Sequence, residues 1–177
     1  YNMGTFYYEG IYIGLPAMYH ATGPVPNYPN TDGFHLVQLA MSRDLKNWKR
    51  LGDRRPFIGP SRIGSGAYDL TQILPPSAPV VRGDELWFYY TGLKYRASYN
   101  YIGNFPNGKY VRKPVLDPDH GAVCLAVLRL DGFISLDAGR DGGSIRTVQF
   151  RVPEGKLFVN ADAGLGRLQV EALDAKG

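Results

Sequence analysis

The chain has 177 residues, of which 22 are glycine and 13 are proline, and 13% of its residues are aromatic. So many large apolar rings exclude a coiled coil or a disordered tail, and the longest apolar runs, such as Val123–Leu128, are far shorter than the roughly 18 residues of a membrane-spanning helix. The net charge of +4 comes from scattered basic residues, a pattern that argues against nucleic acid binding.

The predicted elements are all β-strands. No segment keeps a helical period over 11 or more residues, whereas short runs rich in β-branched and aromatic residues alternate with clusters of Gly, Pro, Asn and Asp. Strands are predicted at residues 10–15, 34–41, 72–74, 79–82, 85–90 and 122–128.

The pattern of apolar and polar residues changes after residue 143. The segments 144–150, 157–161 and 168–173 alternate apolar and polar residues, as half-buried antiparallel strands do. We therefore predict two domains, residues 1–140 and 141–177, with a boundary near Asp141. The chain opens in a predicted strand and closes on a turn directly after one, so we expect both ends to be cut from a longer protein.

A repeat runs through the first domain. Tyr7–Leu15 can be aligned with Val81–Leu93, since each reads as strand, tight turn, aromatic strand and then Gly-Leu, and Leu39–Arg43 can be aligned with Leu125–Arg129. Two copies of a four-stranded sheet are typical of propeller blades. Two blades leave their outer faces to water, so we expect further blades, upstream in the same protein, to be their partners.

Two local motifs favour a structural interpretation. In Ser42–Trp48, the Ser and Asp side chains can accept hydrogen bonds from the N–H groups of their own turn, and Trp48 can cover that turn and pack between blades. Glu9 resembles a general acid in isolation, but the repeat places it at a hairpin turn, where a solvated side chain is the expectation.

Candidate binding residues cluster where strands of the two predicted blades begin and end. Asp69 lies in a glycine-rich loop just before the strand at 72–74, where it either accepts hydrogen bonds from substrate hydroxyls or caps local N–H groups. Tyr68 adjoins it, and His20, Tyr95 and Arg96 follow the second strands toward the same end. A tyrosine-rich loop can stack on sugar rings, although an ordered surface loop is an equal interpretation. The single cysteine and the spacing of the histidines predict no metal site, and no cofactor motif is present.

A family resemblance rests on five runs of sequence, which are Ser42–Trp48, Gly66–Asp69, Gly83–Gly92, Leu128–Gly139 and Leu157–Asp162. Within them, Arg-Leu-Asp-Gly-Phe followed by Leu-Phe-Val-Asn-Ala is the most specific combination. Together they resemble the later part of glycoside hydrolase family 32-like proteins, which are related to the invertase and arabinanase groups.

This resemblance implies an all-β fold, with about two blades of a five-bladed β-propeller followed by the first strands of a β-sandwich. It implies carbohydrate binding, and glycosidic bond hydrolysis by a pair of carboxylates in the longer protein. The family's nucleophile and acid motifs are not in this sequence, so the catalytic residues stay unassigned and Asp69 looks like the family's substrate-contacting aspartate. The alternative is a non-catalytic carbohydrate-binding or interaction module.

Overall fold

The structure is a computed structural model, and it describes residues 2–24, 31–94, 119–152 and 154–174. Within these residues the protein is all-β, and the only helical segment is the 3-10 turn Gly52–Arg54. The predicted fold class is confirmed at this level. No helix of the described residues is long and apolar enough to cross a membrane.

The first sheet is an antiparallel meander of six strands. Its strands are β1 (Met3–Tyr8), β2 (Ile11–Pro24), β3 (Thr31–Gln38), β4 (Ala40–Ser42), β5 (Lys49–Arg50) and β6 (Pro56–Ile58). The long strand β2 pairs with β1 on one side and with β3 and β4 on the other, while β5 pairs with β4 and β6 pairs with β3.

The second sheet is a shorter antiparallel meander, with four strands instead of six. Its strands are β7 (Gln72–Leu74), β8 (Val80–Arg82), β9 (Glu85–Leu93) and β10 (Gly121–Arg129). Strand β9 pairs with β10 along its whole length, and the short strands β7 and β8 share the other side of β9. The two sheets are curled, so that together they approximate half of a barrel.

The tight turns of the predicted repeat are present in both sheets. Glu9 and Gly10 connect β1 to β2 with positive φ angles of 42° and 84°, and Gly83, with φ 58°, begins the matching turn from β8 to β9. Positive φ at these positions is what a two-residue hairpin with native twist requires. Glu9 is exposed at this turn, so its interpretation as a solvated turn residue is confirmed.

The Ser42–Trp48 turn forms the predicted hydrogen bonds. The Asp44 carboxylate accepts from the Asn47 N–H at 2.7 Å and the Ser42 hydroxyl accepts from the Asp44 N–H at 3.2 Å. The donors to the Asp44 carboxylate, above all Asn47, lower its pKa. Trp48 covers Gly14 of its own sheet, where a Cβ would lie 2.6 Å from the indole ring.

The core lies between the two sheets and is closed by aromatic rings. Phe88 of β9 packs against Phe6 of β1 and against Phe57 of β6, with ring centroids 6.2 and 5.6 Å away. Phe133, which follows β10, contacts all three rings. The Tyr8 hydroxyl donates to Asp131 at 2.6 Å and so fixes the segment that carries Phe133.

The chain divides into two compact units, residues 1–134 and 135–177. In the described part of the second unit, the only β-pairing is an isolated bridge between Gly139 and Gly142. The strands predicted there for a β-sandwich are therefore not formed, and large apolar side chains such as Val148 and Phe158 are exposed. The physical reason is that an alternating strand is stable only when a second layer covers its apolar face.

Candidate functional site

The candidate site is built around Asp69, in the loop that precedes β7. Gly64 and Gly66 have φ angles of 86° and 79°, which allow the chain to reverse tightly, and the Ser61 N–H then donates to the Asp69 carbonyl at 3.0 Å. This loop directs the Asp69 side chain inward, where it is only 7% exposed. A carboxylate buried to this extent requires a polar partner.

The partner of Asp69 is Tyr90. The inward-facing residues of β9 are Leu86, Phe88, Tyr90 and Gly92, and the Tyr90 hydroxyl donates to Asp69 Oδ2 at 2.7 Å. Burial raises the pKa of Tyr90, and the bond to Asp69 raises it further. Tyr90 therefore remains a neutral donor and holds the carboxylate in place. The other oxygen, Oδ1, receives no hydrogen bond from the described residues.

Gly92 allows Asp69 to lie directly on the sheet. A Cβ at Gly92 would lie 2.8 Å from Asp69 Cβ and 2.9 Å from both its Cα and its N, closer than real side chains approach. Glycine is therefore required here because the loop backbone and β9 touch.

Cys124 completes the buried group. It is the residue of β10 that pairs with Tyr90, and it is half-buried. Burial raises the pKa of the Cys124 thiol, and the negative charge of Asp69 raises it further. The thiol is consequently protonated at neutral pH, which argues against a nucleophilic role.

A second polar group includes Tyr68, which precedes Asp69 in the chain, and is more exposed. The Asp119 carboxylate accepts hydrogen bonds from the Tyr68 hydroxyl and from the Lys94 ammonium, and the Lys94 Nζ lies 4.3 Å from the centroid of the Tyr68 ring. Lys94 first and Tyr68 second lower the pKa of Asp119. At neutral pH this group therefore presents an aromatic ring, an ammonium and a carboxylate in contact with one another.

Of the predicted set, Tyr68 and Asp69 are consecutive in the loop that precedes β7, and His20 lies on β2. His20 is exposed and stacks on Phe34, with ring centroids 5.1 Å apart. Tyr95 and Arg96 lie outside the described residues. The roles of all five in binding remain predictions.

Sequence reasoning did not identify Tyr90, Lys94 or Asp119 as site residues. Alternation along β9 could have pointed to Tyr90, since it shares the inward face of Leu86 and Phe88. Lys94 and Asp119 are 25 positions apart, and only the pairing of β9 with β10 brings them into contact.

The two sheets meet close to this site. The His35 N–H of β3 donates to the Thr71 carbonyl at 3.0 Å, and the Tyr19 ring packs on the His35 ring at 4.9 Å. Gly33 makes room for that tyrosine, because a Cβ there would lie 2.7 Å from its ring. The loop that carries Asp69 is thus anchored to both sheets.

The arrangement can accept and donate hydrogen bonds. Asp69 is the buried carboxylate, and the neighbouring carboxylate, Asp119, is held ionised by Lys94. Among the described residues, no group of three or more His, Cys, Asp or Glu could hold a metal ion. No protein-family model, no curated protein and no solved structure matches the chain.

Proposed function

We propose that the protein binds carbohydrate at the group formed by Tyr68, Asp69, Lys94 and Asp119. The observation that supports the proposal is the hydrogen bonding of the two Asp69 carboxylate oxygens. Its Oδ2 is fixed by Tyr90, while Oδ1 receives no hydrogen bond from the described residues. A rigid, charged acceptor with one unused oxygen is suited to a sugar hydroxyl, since hydrogen bonds to ionised groups are among the strong ones.

The neighbouring group supplies the other contacts that a sugar uses. Tyr68 offers an aromatic ring and Asp119 a largely exposed carboxylate, which can accept from a second hydroxyl. Lys94 keeps Asp119 ionised and covers part of the Tyr68 ring. Sugars present hydroxyls at their edges and C–H groups on their faces, and this pairing of aromatic ring and polar groups matches both.

The fold proposal that accompanies this function is a partial five-bladed β-propeller of about two blades, followed by residues 141–177 as the first strands of a β-sandwich, which form only when a second layer from a longer protein covers them. Two antiparallel meanders in succession support it, as do the matching hairpin turns at Glu9–Gly10 and Gly83–Asp84. In a longer, glycoside hydrolase-like protein, upstream blades would supply the carboxylate pair and the reaction would be glycosidic bond hydrolysis.

The test is direct binding of soluble oligosaccharides to the 177-residue chain, measured by saturation-transfer NMR and calorimetry. Asp69→Asn keeps the size of the side chain and an oxygen for Tyr90 but removes the charge. We expect it to weaken binding by about ten- to a hundredfold, as the loss of a charged hydrogen bond does. Asp131→Asn is the matched control, because Asp131 also accepts from a tyrosine, Tyr8, away from the site. Equal affinity of Asp69→Asn and the parent chain would refute the proposal.

One observation favours a non-catalytic binding module as the second candidate. Of the two carboxylates at the site, Asp69 is already held by Tyr90, and Asp119 is held by Tyr68 and Lys94, an arrangement that suits fixed acceptors. Incubation of the chain with a panel of aryl glycosides separates the candidates. Binding without release of the aryl group supports the module, and turnover that Asp69→Asn abolishes supports a hydrolase.

A further inference from the structure

Within the part of the chain that the structure describes, the outer side of strand β10 is an unpaired sheet edge. Strand β10 pairs with β9 from Gly121 to Arg129, and no other strand of the described residues pairs with it. Strand edges of this length are normally covered, shortened or charged, because their unpaired N–H and C=O groups bind other strands.

The hydrogen bonds at the two ends of the β9–β10 ladder show which residues face that edge. The Lys94 N–H donates to the His120 carbonyl at 2.9 Å, and the Leu130 N–H donates to the Asp84 carbonyl at 2.6 Å. In an antiparallel pair, bonded and non-bonded residues alternate, so the even-numbered residues of β10 bond to β9. The odd-numbered residues of β10 therefore direct their backbone groups outward. We call the first four of them, Gly121, Val123, Leu125 and Val127, the open edge, and Arg129 is the fifth.

The side chains of the open edge are apolar and exposed. Val123, Leu125 and Val127 are 76%, 41% and 50% exposed, and Tyr89, which pairs with Leu125 on the same face, is 47% exposed. From Gly121 to Leu128 the strand has no charged residue and no proline. The features that usually protect an edge from pairing are thus missing along eight consecutive positions.

We propose that the open edge pairs with the open edge of a second copy of this chain, to form a two-fold symmetric dimer with a continuous sheet. Antiparallel pairing centred on Leu125 uses the whole strand. Val123 then lies opposite Val127 of the partner subunit, and these central pairs form about six backbone hydrogen bonds. The charge pattern is self-complementary, since the one charged residue, Arg129, lies opposite Gly121 of the partner subunit and meets no like charge.

The oligomeric state of the 177-residue chain tests this proposal, by light scattering across a dilution series in the micromolar range. We expect a dimer whose dissociation constant rises at least about tenfold in Val123→Lys, because two lysines then flank the centre of the shared sheet. Ile63→Lys is the control: Ile63 is 91% exposed in a loop, and its substitution leaves the dimer intact. A chain that is monomeric throughout the series, or a dimer that Val123→Lys does not weaken, overturns the proposal.

Cross-linking tests the register without depending on the stability of a charged variant. Across the two-fold axis, the Cα atoms of the two Leu125 residues would be about 5.5 Å apart, within the range that a disulfide spans. Leu125→Cys in a Cys124→Ser background should form a reducible covalent dimer under mild oxidation, and Ile63→Cys in that background should not. Equal cross-linking of the two variants contradicts pairing through β10.

Discussion

Removing the Tyr90 hydroxyl tests whether a buried hydrogen bond holds Asp69 in place. In Tyr90→Phe the ring still fills its position on β9, but Asp69 loses its donor at 2.7 Å. Because Tyr90 is only 8% exposed, water replaces its hydroxyl poorly as the donor. A hydrogen bond to a charged group contributes about 1.5–3 kcal/mol to the free energy of unfolding, and we expect a loss of this size.

The assay is reversible unfolding by heat and by denaturant, followed by circular dichroism. For a domain of this size, such a loss lowers the melting temperature by roughly 3–12 °C. Tyr89→Phe is the matched control, since Tyr89 is the adjacent residue of the same strand but faces outward and is 47% exposed. We expect its unfolding free energy to stay within about 0.5 kcal/mol of the parent chain. If Tyr90→Phe is as stable as Tyr89→Phe, the hydrogen bond does not hold Asp69 in place and Asp69 Oδ1 is not a fixed acceptor.

Three further predictions concern packing and pH. Gly92→Ala should lower the unfolding free energy by about 1–3 kcal/mol through overpacking against Asp69. Gly59→Ala, whose nearest contact would be a proline side chain at 3.3 Å, should change it little. An unchanged unfolding free energy in Gly92→Ala would contradict the close packing of Gly92 against Asp69. Burial, and then the hydrogen bond to Asp131, raise the pKa of Tyr8 to about 12 from its ordinary 10.0. The contribution of Tyr8 to stability is therefore full below pH 10 and is lost as the pH rises toward 12. Tyr8→Phe should flatten this loss in alkaline denaturation curves. Hydrogen bonds within its turn lower the pKa of Asp44 from 3.8, so the contribution of Asp44 to stability is present above that pH and is lost as the pH falls below it. Asp44→Asn should make acid unfolding less steep. If the acid unfolding curve does not change, the hydrogen bonds of Asp44 do not stabilise the folded protein.

Local chemistry determined the hairpins and most of the strands. The turn residues at Glu9–Gly10 and Gly83–Asp84 and the aromatic, β-branched runs around them depend on neighbours in the chain, and they form as predicted. The same holds for the Ser42–Trp48 turn, where donor and acceptor are two or three residues apart. Where the expectation needed a second layer, as in the alternating segments after residue 143, sequence pattern alone predicted strands that the structure does not contain.

The sequence by itself determined an all-β chain with two similar hairpin sheets, and it singled out Asp69 as the carboxylate of interest. Only the tertiary structure decided what surrounds that carboxylate. Tyr90 reaches it from 21 positions away, and Asp119 reaches Tyr68 from 51 positions away, because β-pairing brings together residues that no local pattern connects. Contacts of this kind depend on strand register, and register is fixed by which faces are buried when the two sheets pack.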